Sequence, residues 1–169
     1  FMNAARHWTG RGQGFEPPAG EFVVTTVTGQ PFASLASKSA TWPEAEQSEA
    51  NRFLGYRLSG EYRYPEFRYK IGKLLVSDAF VPIQTDTKTL LRRTITVSGS
   101  PKSETYFRAA AGSVSQSNGT DKTFEAADGL SIKLLDTPYL LRESAGADEL
   151  LLPLDESKNS QTLQIEYTW

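Results

Sequence analysis

The sequence predicts an all-β protein, an antiparallel β-sandwich of jelly-roll-like type with about ten strands and at most one short helix. Three observations lead there. In NRFLGYRLSGEYRYPEFRYKIG, residues 51 to 72, apolar and polar side chains alternate with the two-residue period of half-buried strands. Turn residues recur at the roughly eight- to twelve-residue spacing of sandwiches and barrels. No stretch keeps a helical period long enough for an α/β plan, and no internal repeat is apparent.

The first twenty residues, FMNAARHWTGRGQGFEPPAG, hold four glycines and two prolines and read as an N-terminal loop or arm, ordered only if His7, Trp8 and Phe15 are anchored. Glu21 to Thr28 is rich in β-branched residues and reads as a strand that Gly29-Gln30-Pro31 ends. Phe32 to Ser39 has room for a short strand. In TWPEAEQSEAN, Thr41 and Glu44 are spaced as in a capping box, which allows at most a turn or two of helix.

The central hairpin follows. Leu54, Tyr56 and Leu58 alternate with Phe53, Gly55 and Arg57, and after a loop from Ser59 to Pro65, Phe67, Tyr69 and Ile71 alternate with Glu66, Arg68 and Lys70. Rings and a β-branched residue are expected to face inward on the second strand, with long cations outward. Further strands are expected at Lys73 to Phe80, at Leu90 to Val97 with Arg93 on the face of Leu91 and Ile95, and at Thr105 to Ala109. Asn118-Gly119 is the strongest hairpin signal, because both central positions of a type I′ turn need positive φ. Asp128-Gly129 introduces LSIKLL, and strands at Tyr139 to Glu143, Glu149 to Leu154 and the closing QTLQIEYTW complete the set.

With 169 residues, 38% of them hydrophobic and 22% charged, the expectation is one sandwich domain over residues 1–169. A net charge of -2 gives no electrostatic reason to expect nucleic acid as a partner, and no apolar run is long enough to span a bilayer. With no cysteine, the chain has no disulfide, no thiolate metal site, no cysteine nucleophile and no c-type haem of its own. No signal-peptide pattern is visible, and a start at Phe1 with Met second reads as a piece of a longer protein.

The richest cluster of chemistry is Arg52, Arg57, Arg63, Arg68, Lys70 and Lys73 interleaved with Tyr56, Tyr62, Tyr64, Phe67 and Tyr69. Rings flanked by cations stack on sugars or bases. Here the alternation sorts the two kinds onto opposite faces, which is also how a one-sided sheet is made. Tyr62 and Tyr64 are set apart by their place in the loop before Pro65. The glycines of TGRGQGF lack the strand and helix of a phosphate loop, since Pro17-Pro18 excludes the helix. His7, the only histidine, has no partner for a triad or a multi-histidine metal site. Glu61 with Glu66 and Glu143 with Glu149 are the carboxylate pairs a glycosidase would require, although Arg142-Glu143 beside Asp148-Glu149 equally suits cross-strand ion pairs. Asp121, Asp128 and Asp136 do not reach the density of a calcium loop, and no metal site is expected.

Several phrases carry a resemblance: FMNAARHWTGRGQGFEPPAGE, GYRLSGEYRYPEFRYKIG, LLRRTITVSG, YFRAAAG, LRES with ELLLPL, and IEYTW. In that order, over nearly the whole chain, they resemble a β-rich domain of large multidomain proteins from planctomycete and verrucomicrobial bacteria. Those proteins are similar to extracytoplasmic sugar dehydrogenases and commonly carry a c-type cytochrome module. The shared phrases are packing and turn motifs, not catalytic ones. Cys-x-x-Cys-His is absent here, and the strand that precedes the FMNA phrase in the family is not present.

The resemblance implies a non-catalytic accessory domain, extracytoplasmic, without a cofactor of its own. Its partners would be other domains or subunits of a larger oxidoreductase assembly, a c-type cytochrome among them. Two alternatives stand beside it. A carbohydrate-binding module would present Trp8, Tyr62 and Tyr64 to a glycan, and a carbohydrate-active enzyme would use a carboxylate pair.

Overall fold

Alternation along the chain becomes pairing across it. The computed structural model describes residues 25–44, 51–117, 119 and 122–169. Among them, twelve strands and one 3-10 turn at Ala127–Gly129 build two antiparallel sheets, an antiparallel β-sandwich. The strands are β1 (Phe32–Ser34), β2 (Asn51–Ser59), β3 (Tyr64–Ile71), β4 (Leu74–Gln84), β5 (Thr89–Ser98) and β6 (Thr105–Gly112). After them come β7 (Ser115–Gln116), β8 (Thr123–Glu125), β9 (Ser131–Leu135), β10 (Leu140–Ser144), β11 (Ala147–Pro153) and β12 (Ser160–Thr168). The smaller sheet has the order β1-β6-β11-β10 and the larger the order β2-β3-β4-β5-β12-β9-β8-β7. No helix among the described residues is long and apolar enough to cross a membrane.

The inward positions are those the two-residue period selects. Val76, Ile95, Val97, Ile132, Leu134, Leu163, Ile165 and Tyr167 from the larger sheet close on Phe32, Phe107, Ala109, Leu150 and Leu152 from the smaller. Burying each large side chain of this kind contributes about 1.5–3 kcal/mol, so this layer is the main source of stability. A second cluster lies on the outside of the smaller sheet, where Ala33, Leu35, Trp42, Tyr106 and Leu151 pack together.

Contacts across the sandwich run in step. Phe32 of β1 shares a groove with Leu74 of β4, the Arg93 guanidinium of β5 lies 5.0 Å from the Phe107 ring of β6, and Tyr139, next to β10, meets Phe124 of β8 at 5.0 Å. The smaller sheet therefore ends, at β1, opposite β4. β2 and β3 continue past it as an overhang.

Several expectations change in detail. Residues 25–28 form no strand, although the Thr26 carbonyl accepts the Ala111 N–H at 2.9 Å; the rest of the strand expected from Glu21 lies outside the described residues. Residues 41–44 are not helical, Asn51 opens β2, and residues 45–50 lie outside the described residues. β4 runs on through Pro82 because, past Ala79, it pairs with β5 alone, which leaves no β3 carbonyl waiting for the missing N–H. β7 and β8 do form a hairpin, but the Ser117 N–H reaches the Thr123 carbonyl, so the loop around Asn118-Gly119 is longer than a two-residue turn. The two-residue turn of that type falls at Ala145-Gly146, where φ is 54° and 77° between the paired Ser144 and Ala147.

The central hairpin holds the largest correction. A β-bulge shifts the β2–β3 register between Phe53 and Gly55, with Gly55 at φ +106°. Phe53 pairs with Tyr69 and Tyr56 with Phe67, so Phe53, Tyr56 and Leu58 share one face while Leu54 is the extra residue. Simple alternation had set Phe53 against Tyr56.

Candidate functional site

The overhang is where the larger sheet exposes what the sandwich elsewhere hides. On its inner face Phe53 is 62% exposed, Tyr56 64% and Leu58 45%, whereas Tyr69 and Ile71 of β3 already touch the core. A ring ladder joins the two zones. Tyr56 lies 6.2 Å from Phe67, Phe67 is edge-on to Phe80 at 6.2 Å, and the Arg93 guanidinium sits 5.0 Å from Phe80 before reaching Phe107. These spacings are those of ordinary aromatic and cation–π contacts.

Arg93 is held inside the sandwich by Asp78. Its Nε donates to Asp78 Oδ1 at 2.9 Å and its Nη2 to Oδ2 at 2.7 Å, and the Tyr69 hydroxyl donates to Oδ2 at 3.2 Å. Burial, followed by the neighbouring Asp78 charge, pushes the Tyr69 phenol well above its ordinary value. The carboxylate is satisfied on both oxygens, so this group is structural and carries no free base.

The outer face of the overhang is cationic. Arg52 stands directly across from Lys70, and Arg68 follows on the same face across from Gly55. Arg57 is neutralised by Glu66, whose Oε2 accepts its Nε at 2.9 Å. The Ser77 hydroxyl, then Arg57, hold the Glu66 carboxyl below the usual carboxylate range. Beyond β2 the edge is open: among the described residues no strand pairs with its second side.

Tyr62 and Tyr64 are brought together, with ring centroids 5.9 Å apart and planes 38° from parallel. Tyr62 is 73% exposed at the tip of the hairpin and Tyr64 half-buried. By register, Tyr64 belongs with Glu66 and Arg68, on the face opposite Tyr56. Trp8, the third sugar-binding candidate, lies outside the described residues, as do His7 and the TGRGQGF glycines.

One member of each carboxylate pair, Glu66 and Glu149, is taken up in ion pairs. Glu149, 4% exposed, accepts Arg142 Nε at 2.9 Å and Arg108 Nη1 at 3.0 Å, and Arg142 Nη1 also donates to the carbonyls of Lys38 and Ala40. With Arg108 4.6 Å from the Trp42 ring, this triad binds the segment around Trp42 to the outside of the smaller sheet. Glu143 pairs in register with Asp148 on the next strand, and Glu61 is exposed in the hairpin turn. Between β1 and the β3–β4 turn a groove of about 800 Å³ is lined by Phe32, Ile71 and Leu74 together with Lys73 and Lys102; among the described residues Glu44 is the one carboxylate lining it. Among the described residues no group of three or more histidine, cysteine or carboxylate side chains is placed to hold a metal ion.

No protein-family model, curated protein or solved structure matches the chain. The open face and edge at β2–β3 were missed in the sequence because the alternation there is as regular as in the buried strands. The one available signal was the density of rings, Phe53, Tyr56, Tyr62, Tyr64, Phe67 and Tyr69, in a stretch too polar to close a core on its own.

Proposed function

We propose that this chain is a non-catalytic accessory domain that docks other domains or subunits of a larger extracytoplasmic, cytochrome-linked oxidoreductase assembly. The observation that carries the docking role is the uncovered inner face of β2, beside the half-buried face of β3. Contiguous exposed apolar side chains on a soluble fold mark contact surfaces, and Phe53, Tyr56 and Leu58 form such a patch beside an open sheet edge. One member of each carboxylate pair is already engaged, Glu66 by Arg57 and Ser77 and Glu149 by Arg142 and Arg108, which favours a binding role over hydrolysis. The nature of the assembly rests on the resemblance of the quoted phrases, and its haem would belong to another segment or subunit.

Cross-linking of the native assembly from Lys70 and Lys73, followed by peptide mass spectrometry, tests the proposal. Cross-links from these lysines to a polypeptide bearing Cys-x-x-Cys-His are expected. A protein that isolates alone, with every cross-link internal, would overturn it.

The exposed Tyr62 beside Tyr64 favours one other reading, a glycan-binding module. Retardation on polysaccharide affinity gels that a Tyr62→Ala change abolishes would decide for it.

A further inference from the structure

We infer that the edge of β2 left unpaired by the described strands accepts an extended strand from the partner, one whose side chains alternate between acidic and apolar. The inference deepens the docking role proposed above and rests on it. β2 is nine residues long, is paired to β3 along its length, and forms the last strand of the eight-stranded sheet. Its outward N–H and C=O groups are a template for main-chain pairing that no Pro interrupts, with the bulge at Leu54 the one irregularity in the row.

Charge selects the occupant. Like charges directly opposite one another weaken a sheet, and Arg52 across from Lys70 is such a pair, with Arg68 next on the same face. No ion pair to a carboxylate is formed by Arg52 or Lys70 among the described residues. An added strand places every second side chain on this face, where Asp or Glu would relieve the repulsion. The intervening side chains fall on the other face, alongside Phe53, Tyr56 and Leu58, where apolar groups bury the patch.

A second copy of the chain is the wrong occupant. In the two-fold antiparallel register that is centred on the bulge and keeps inner residues with inner ones, Phe53 meets Tyr56 of the copy, but Arg52 meets its Arg57. Arg57 is already engaged by Glu66, so self-pairing brings no free carboxylate to Arg52 or Lys70, which an acidic strand does.

The probe is a peptide of β2's length alternating glutamate with valine and phenylalanine, set beside the same peptide with lysine for glutamate, each titrated into the intact chain. Fluorescence anisotropy reports binding and amide hydrogen exchange reports protection along β2. The glutamate peptide is expected to bind, to protect the β2 amides, and to weaken with added salt; the lysine peptide is not. Arg52→Glu is expected to weaken binding by about tenfold. Lys70→Glu is the second variant, on β3, with circular dichroism as the check that both fold.

Equal binding of both peptides, or binding without β2 protection, overturns the strand inference while leaving native cross-links from Lys70 and Lys73 to speak for docking. β2 amides already protected in the peptide-free monomer would assign the edge to the chain's own residues. Protection that appears only with dimerisation in sedimentation would assign it to a second copy.

Discussion

Arg93 reaches diagonally across β4 and β5 to grip Asp78 with two parallel hydrogen bonds, both groups inside the sandwich and the guanidinium close to the Phe80 and Phe107 rings. Register pairs Asp78 with Ile95 and Phe80 with Arg93, so the ion pair spans one step of the ladder while Phe80 lies under the guanidinium. The pair sits where the ring ladder from the overhang enters the core. It hydrogen-bonds the Tyr69 hydroxyl and packs on the Phe80 ring, which in turn meets Phe67.

Removing one partner strands a charge. Asp78→Ala is expected to destabilise the protein by about 3–5 kcal/mol, because Arg93 would remain buried without a counter-ion. The double change Asp78→Leu with Arg93→Met is expected to cost far less than the single change. Urea unfolding of Asp78→Ala checks the first, and a double-mutant cycle of Asp78→Leu, Arg93→Met and the two together checks the second.

The Arg108–Glu149–Arg142 triad holds the segment around Trp42 against the smaller sheet. Arg142→Ala frees the Lys38 and Ala40 carbonyls and leaves Glu149 with Arg108 alone. A loss of about 2–5 kcal/mol is expected, together with a red shift of the Trp42 emission. A Trp42→Phe background removes that shift and identifies its source.

The overhang is expected to be silent in stability. Phe53→Ser and Tyr56→Ser replace exposed rings and should change unfolding free energy by no more than about 0.5 kcal/mol each. Phe107→Ala, at 0% exposure, should cost about 3–5 kcal/mol. Chemical denaturation of the three variants separates a docking face from a core face.

Stability is expected to fall as the solution becomes strongly alkaline. Burial raises the phenols of Tyr69 and Tyr167, and burial with a hydrogen bond to Glu104 pushes Tyr106 up to about 12. The unfolded chain loses these protons near pH 10, before the folded one does. The contribution is therefore whole below about pH 10 and is lost as pH rises beyond it. Glu66 acts in the other sense: its lowered value gives stability above the ordinary glutamate range that is lost as pH falls through it. Tm measured from acid to alkali should show both flanks, with Glu66→Gln flattening the acid one and Tyr69→Phe the alkaline one.

Much of the fold was legible because alternation is a property of the local backbone. Leu130, Ile132 and Leu134, and Leu163, Ile165 and Tyr167, are buried as their spacing indicates, and Arg142 meets Glu149 across neighbouring strands. Arg93 was readable as inward-facing from its company with Leu91 and Ile95, but its partner Asp78 was not, because that contact needs the β4–β5 register. The bulge at Leu54 escaped for a similar reason. An extra residue shows only against the strand that fails to match it.

Strand periodicity and the assignment of rings and cations to opposite faces of β3 came from the chain alone, since each follows from side chains pointing alternately up and down a pleated backbone. How far each sheet extends was settled elsewhere. β1 halts the smaller sheet opposite β4 while β2 and β3 carry the larger one onward, and pairing between segments distant in sequence decides where such a layer stops. A strand with a covered face and one with a bare face have the same local pattern, so only the folded arrangement reveals which residues are left for a partner.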